Sequence, residues 1–411
     1  MHIRPILSTL RRHRTAATLI VLEIAVTCAI ICNAVFIIGE RLGRMNRESG
    51  IAEDELIRVQ VAGIGRNANP EVLTREDLAA LAAVPGVRNA AVTNQVPFGN
   101  SSWNSSVNLD PEQKLENFNA SIYLGTDDLL ETLGVKIIAG RDFTPTELVD
   151  WKELDVKDSK AKIPSVIISK VAAERLWPGQ NALGKTLYIW GEKPDEGHRV
   201  VGIVDRLIRP NDAQGPADIE LSVILPVRIP YTMGGNYILR VDPERRTEVL
   251  AAAVAALERN SPNRIILEKQ VFSEIRAGYF RQDKAMAWLL VGVCIALLVI
   301  TALGIVGLAS FWVQQRRRQI GIRRALGATR RQILRYFQTE NFLLATLGIV
   351  LGMAMAYGIN LLLMEKYELP RLPAGFLPLG AITLWLLGQL AVLGPAMRAA
   401  AVPPAVATRT V

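Results

Sequence analysis

Four long apolar runs punctuate this chain, at residues 16–38, 286–313, 341–364 and 376–393. The second and third contain no charged residue at all, and the first contains only Glu23. A helix needs roughly 20 apolar residues to cross the hydrocarbon core of a bilayer, so all four read as transmembrane helices. Between the first and second runs the pattern changes. Residues 55–61 (ELIRVQV) alternate like a half-buried strand. Residues 121–125, 164–168, 186–190, 200–204, 237–241 and 265–267 read as further strands. LTREDLAALAAVPGV shows a helical period, with Thr74 as its N-cap and Pro-Gly as its stop. Ser169 caps a helix that ends at Trp177-Pro178, and residues 243–258 form an Ala-rich amphipathic helix. Short strand and helix units of this kind build small α/β or α+β subdomains. We expect two, with a break around 140–164, where WKELDVKDSKAK reads as a solvated insertion.

The pattern therefore predicts an α-helical membrane protein with four transmembrane helices. A mixed α/β (α+β) extracytoplasmic domain of two subdomains is inserted between spans 1 and 2. The expected segments are 1–39 (N-terminus and span 1), 40–285 (the inserted domain) and 286–411 (spans 2 to 4). A short segment, 314–339, joins spans 2 and 3.

Charge orients this arrangement. The net charge is +8, and the excess is localised. Arg4, Arg11, Arg12 and Arg14 precede span 1, a block of eight arginines joins spans 2 and 3, and Arg398 and Arg409 follow span 4. Short loops rich in arginine stay in the cytoplasm, so both termini and the 314–339 segment are expected there, with residues 40–285 outside. A basic excess beside apolar spans is topogenic, which argues against a nucleic-acid partner. The first run is too long for a signal core and FIIGERLGR offers no small-residue cleavage site, so it reads as an uncleaved anchor. Cys28, Cys32 and Cys294 all lie inside apolar runs and read as packing residues, not as a disulfide or metal framework.

One motif is a decoy. GQNALGKT (179–186) fits the phosphate-binding pattern GxxxxGK[ST], and VVGIVD (200–205) resembles an apolar strand ending in a magnesium-binding Asp. A phosphate loop needs a strand entering and a helix leaving, so that amides at the helix start face phosphate. Here a helix enters and a strand leaves. The segment reads as a turn with Gly179 and Gly184 at positive φ and an exposed Lys185. His2, His13 and His198 are scattered, no cluster has metal-ligand spacing, and no nucleophile signature is present. The chain is expected to be non-catalytic and to hold no cofactor. Glu23 and Glu340 are the two intramembrane candidates. Ionisable groups at such depth are costly and often functional. Glu23 is expected to face other helices, and Glu340 to pair with an arginine or to cap local donors.

The arginine block, QQRRRQIGIRRALGATRRQILRYF, is the remaining candidate. As one helix from about Gln319, it places Ile320, Ile322, Ala325, Leu326, Ile333, Leu334 and Phe337 on an apolar side. Gly321, Gly327 and Ala328 thin its surface for close approach by another backbone. Two readings fit: a topogenic helix facing lipid headgroups, or a coupling helix that docks on a cytoplasmic motor.

RQIGIRRALGA (318–328) resembles the REIG-[IV]-R-[KR]-A-[LM]-G-A signature of the FtsX-type permease domain of ATP-binding-cassette systems, with Gln319 where Glu is common. The tail PAMRAAAVPPAVA (395–407) is similar to that family's ending. AGRDFT (139–144), VIISKVAAERLWPGQNALGKTLYI and VVGIVD resemble the MacB-type periplasmic core. The resemblance implies the permease subunit of an export or mechanotransmission complex in the inner membrane. ATP and magnesium would be bound by a separate ABC ATPase subunit. It implies a homodimer, or a heterodimer with a related permease, surrounded by membrane lipid, and a periplasmic adaptor and outer-membrane channel as further partners. It marks Ile320, Gly321, Ile322, Arg323, Arg324, Ala325, Gly327 and Ala328 as the ATPase contact. The alternative is a membrane-anchored periplasmic sensor or scaffold without its own motor.

Overall fold

The structure, a computed structural model, describes residues 14–64, 69–99, 101–156, 161–189, 196–212, 218–367 and 371–401. Arg4, Arg11, Arg12, His2, His13, Trp190, Arg409 and the tail motif beyond residue 401 lie outside these residues. The chain divides into two units, 1–46 with 282–411, and 47–281.

In chain order, α1 (Arg14–Met45) opens the first unit. The second unit then contains β1 (Leu56–Gly63), α2 (Pro70–Ala82), β2 (Val87–Thr93), β3 (Asn104–Asn108), β4 (Phe118–Leu124), α3 (Leu129–Leu133) and β5 (Ile137–Gly140). It continues through β6 (Val149–Asp150), α4 (Trp151–Leu154), β7 (Ser165–Ser169), α5 (Lys170–Leu176), β8 (Thr186–Ile189) and β9 (His198–Val204). It ends with β10 (Ser222–Leu225), β11 (Val227–Arg228), β12 (Asn236–Val241), α6 (Arg246–Asn260), β13 (Arg264–Val271) and α7 (Phe272–Tyr279). The chain returns to the first unit with α8 (Arg281–Gln315), α9 (Arg317–Ala325), α10 (Arg330–Tyr367) and α11 (Phe376–Ala401).

The four apolar runs all lie on helices long enough to cross a membrane: α1, α8, α10 and α11. The predicted end of span 4 before Pro395 is corrected. The helix runs on to Ala401 with Pro395 buried inside it. A proline lacks only its own N–H, and neighbouring helices in a bundle tolerate the one carbonyl this frees.

Two large sheets and a short parallel pair, β11 with β6, make the second unit. The first is antiparallel, in the order β13-β1-β12-β2. Helices α2 and α6 pack side by side against it, with Leu81, Val249, Ala253 and Leu257 in the core they share with Ile57 and Val59. The predicted N-cap Thr74 is instead inside α2, which begins at Pro70. Proline suits the first helical position, where no N–H is needed. The Thr74 hydroxyl donates to Pro70 O at 2.7 Å and accepts from Tyr231 N at 2.8 Å. One buried ion pair fastens the helices to the sheet. Arg264 Nη2 donates to Asp77 Oδ1 at 2.6 Å, and Asn260 Nδ2 and the Tyr237 hydroxyl donate to the same carboxylate. Burial, reinforced by the Asp77 charge, holds the Tyr237 phenol well above its ordinary range.

The second sheet runs β5-β9-β7-β10-β4-β3-β8, and β8 also pairs with β9, so it closes on itself. Val107, Ile122, Val166, Ile168, Leu187, Val200 and Val223 fill its interior. All of its strands lie between β2 and β12 of the first sheet. Two subdomains are therefore present, but the predicted break at 140–164 is misplaced. That stretch lies within the span of the second sheet, and Trp151 and Leu154 pack on the core instead of standing as a solvated insertion. Charge along WKELDVKDSKAK masked these two apolar contacts; residues 157–160 of it lie outside the described residues. The second sheet is an insertion into the first, and chain order alone conceals that.

Candidate coupling site

Helix α8 ends at the start of the arginine block, where Trp312 and Arg316 are buried. Arg316 Nη1 donates to both carboxylate oxygens of Glu340, at 2.8 and 3.1 Å. The pair is nearly sealed, with side chains 7% and 2% exposed. Glu340 thus has the arginine partner expected of it, and the bond ties the end of α8 to α10. The guanidinium also lies 5.6 Å from the Trp312 ring centroid.

The predicted single helix from Gln319 is corrected to two. Helix α9 stops at Ala325, and α10 starts at Arg330 and continues through the whole of span 3. The stop is a Schellman motif: Ala328 N donates to Arg323 O at 3.0 Å and Gly327 N to Arg324 O at 3.1 Å. Gly327 sits at φ +98, and a side chain there would meet nothing within 4 Å. It takes the left-handed turn that ends the helix. The restart is a capping box: Thr329 N donates to Gln332 Oε1 at 2.8 Å and Gln332 N to Thr329 Oγ1 at 3.3 Å. The T-x-x-Q spacing is visible in sequence and could have flagged this boundary.

The break redistributes the expected apolar side. Ile320, Ile333 and Phe337 are buried, while Ile322 is 45% and Leu326 is 83% exposed. Residues two apart on a helix point about 200° away from each other, so Ile320 and Ile322 cannot share a face. Ile320 and Gly321 face inward. Ile322, Arg323, Ala325 and Gly327 are exposed, and Arg324 and Ala328 half-buried. Ile322 and Leu326, four apart, form one exposed apolar stripe. Arg323 lies over the Tyr336 ring, 5.2 Å from its centroid, which fixes α9 against the start of α10.

Span packing explains how this loop is held. Gly348 and Gly352 of α10 form a small-xxx-small pair. A methyl at Gly352 would stand 2.5 Å from Cys28 Cβ, and one at Gly348 2.8 Å from Ile24 Cβ, so the backbones of α1 and α10 touch closely. This GxxxG in an apolar run was legible in the sequence and was missed. Cys28 and Cys32 are buried free thiols in the packing role expected of them. Glu23 faces α8 as expected: a methyl at Gly304 would stand 2.5 Å from its carboxylate oxygen. One turn on, the Thr27 and Thr301 hydroxyls share a hydrogen bond at 2.9 Å. Further along, Arg41 bonds to Asp283.

The decoy behaves as a turn. Gly179 and Gly184 have φ +68 and +80. Lys185 Nζ donates to Gln180 Oε1 at 2.5 Å and lies 5.4 Å from the Trp177 ring centroid. Helix α5 enters and β8 leaves. Among the described residues no His, Cys, Asp and Glu group is arranged to hold a metal ion.

Residues 15–257 match the MacB-like periplasmic core domain, and residues 291–404 the FtsX-like permease C-terminal domain. The chain is 23% identical over 424 residues to an ABC transporter permease, YknZ, of Bacillus subtilis, covering 99% of this chain and 98% of that protein. It is 26% identical over 212 residues to the macrolide export ATP-binding/permease protein MacB of Bdellovibrio bacteriovorus, covering 48% of this chain. It spans only 31% of that MacB's length. It is 25% identical over 359 residues to the pyoverdine export ATP-binding/permease protein PvdT of Pseudomonas fluorescens, covering 84% of this chain and 49% of that protein. Among solved structures, the periplasmic region of MacB from Actinobacillus actinomycetemcomitans is similar at 13% identity and a TM-score of 0.34, over 57% of this chain and 97% of that one.

Proposed function

This chain belongs to the ABC-transporter permease family that joins a MacB-like periplasmic core to an FtsX-like membrane domain, and on that premise we propose that it is the non-catalytic permease subunit of an export or mechanotransmission complex. ATP and magnesium are bound by a partner ATPase. That motor docks on α9, and its movement passes through the spans to the periplasmic domain, which acts on a substrate. The subunit works as a dimer in the inner membrane, with both termini and α9 in the cytoplasm.

The observation that supports this most directly is the exposed stripe of Ile322 and Leu326 on α9. A loop serving only as a topology signal needs arginines. It does not need two large apolar side chains held outward by a Schellman stop and a capping box. The stripe also refines the contact. Ile322, Arg323, Ala325 and Leu326 meet the motor, while Ile320 and Gly321 seat α9 on its own unit.

Co-purification of the full-length chain with its ATPase from solubilised membranes tests the assignment. Ile322→Asp with Leu326→Asp, and separately Arg323→Glu with Arg324→Glu, should abolish co-purification while leaving membrane insertion intact. Retained co-purification in both double variants overturns the α9 assignment, whereas a parent chain that co-purifies with no ATPase favours the scaffold reading.

A further inference from the structure

Val96-Pro97-Phe98-Gly99 forms a tight turn, in which Gly99 N donates to Val96 O at 3.1 Å. Phe98, at φ +62, is the one non-glycine with positive φ among the described residues. A turn with proline second and positive φ third ordinarily takes glycine in that third place, because a side chain there crowds the backbone. Residues held in this way cluster at switches when their surroundings over-determine them.

Here the surroundings are an aromatic clasp. The Phe98 ring is buried, with its centroid 5.5 Å from Phe280 and 5.6 Å from Tyr279. The Arg276 guanidinium covers it at 4.9 Å. Arg276 also donates to Glu53 Oε1 and to Arg47 O, both at 2.6 Å. Residues 47–53 and 272–280 are the first and last segments of this unit, each running on in sequence to a span. Arg276 thus joins the first segment to the ring that the last segment surrounds.

The other end of the loop holds the two subdomains together. Asn94 follows directly on β2. Its Nδ2 donates to Ile122 O at 2.9 Å, and its Oδ1 accepts from Leu124 N at 3.0 Å, both on β4 of the closed sheet. Gln95 Nε2 donates to Ser121 Oγ and Ile122 O at 2.8 and 2.9 Å. Its Oε1 accepts from Trp103 N at 2.6 Å.

We infer that loop 94–99 is a strained latch linking the segments that lead to spans 1 and 2 to the junction between the two sheets. When 47–53 and 272–280 shift relative to each other, Arg276 withdraws from the ring. Phe98 then relaxes to negative φ, the loop lifts, and the Asn94 and Gln95 bonds to β4 loosen. The barrel is then free to reorient on the first sheet. The part this plays in transport rests on the permease reading, but the latch itself does not.

Hydrogen–deuterium exchange on the full chain in detergent, without any ATPase, tests the latch separately from motor binding. Arg276→Gln should speed exchange at the Val96, Phe98 and Gly99 amides, and at the Trp103 and Leu124 amides that donate to Gln95 and Asn94, by tenfold or more, leaving Ile167 and Val223 on the barrel strands unchanged. Phe98→Gly relieves the backbone without the clasp, so adding Arg276→Gln to it should change the loop less than twofold. Unchanged loop exchange in Arg276→Gln overturns the latch. So does an equal tenfold effect in the Phe98→Gly background, or a rise across every strand at once.

Discussion

At the residue scale, buried charge makes the sharpest demands. Glu340→Leu leaves the Arg316 guanidinium sealed without its counter-charge, and breaking such a pair costs about 3–5 kcal/mol. Replacing both, Arg316→Met with Glu340→Leu, should recover most of that loss, since an apolar pair of similar volume is often neutral. Thermal unfolding in detergent of the single and double variants checks the expectation. Glu147 poses a milder, pH-dependent case. Arg141 bonds it in a bidentate pair at 2.7 and 2.9 Å, and Thr144 donates to it from amide and hydroxyl. Arg141 first, then Thr144, hold its carboxyl down at about 2 against an ordinary 4.5. A carboxylate depressed in the folded state contributes stability in full above its ordinary value, and that contribution is lost as pH falls through the folded one. Acid unfolding of Glu147→Gln should therefore be flatter than that of the parent between about pH 4.5 and 2. Identical curves would show that the pair is too solvated to matter.

At the scale of elements, the close contact of α1 and α10 depends on two glycines. Gly352→Leu should abolish a monodisperse peak in size-exclusion chromatography, because Cys28 Cβ and Ala25 O leave no room for it. Gly358→Leu, with nothing within 4 Å, is the matched control and should elute normally. These elements also show what was legible in sequence. The four spans were, because twenty apolar residues in a row have no other common use. Ser169 was legible as a cap, and it accepts from Ala172 N at 3.3 Å. Strands β2, β3, β5, β6, β10 and β11 were missed. β3 (NSSVN) carries too little apolar character to announce itself. SVIL in β10 is buried on both faces and shows no alternation. The arginine block read as one helix because its apolar spacing continues across Gly327. The positive φ of that residue, invisible to periodicity, and the capping box at Thr329 divide it.

At the scale of the whole molecule, the family was legible from RQIGIRRALGA and from the VIISKVAAERLWPGQNALGKTLYI stretch. The surface of the arginine block was half legible: the arginines stood out, but which isoleucine faced outward needed coordinates. The nesting of one sheet inside another was not legible, since strands far apart in sequence complete the first sheet. That nesting has a consequence for how such a protein is remodelled. The chain leaves the first sheet at Thr93 and comes back at Asn236, and these two residues are register partners on adjacent strands. Cross-strand partners in an antiparallel ladder stand only about 4.5–5.5 Å apart at Cα. The barrel is therefore a cassette spliced through a single narrow port. It could be exchanged for a different globule, or replaced by a short hairpin, with every hydrogen bond between β2 and β12 kept. Lineages of such proteins could swap what they present outside the cell while leaving the segments that run to the membrane untouched.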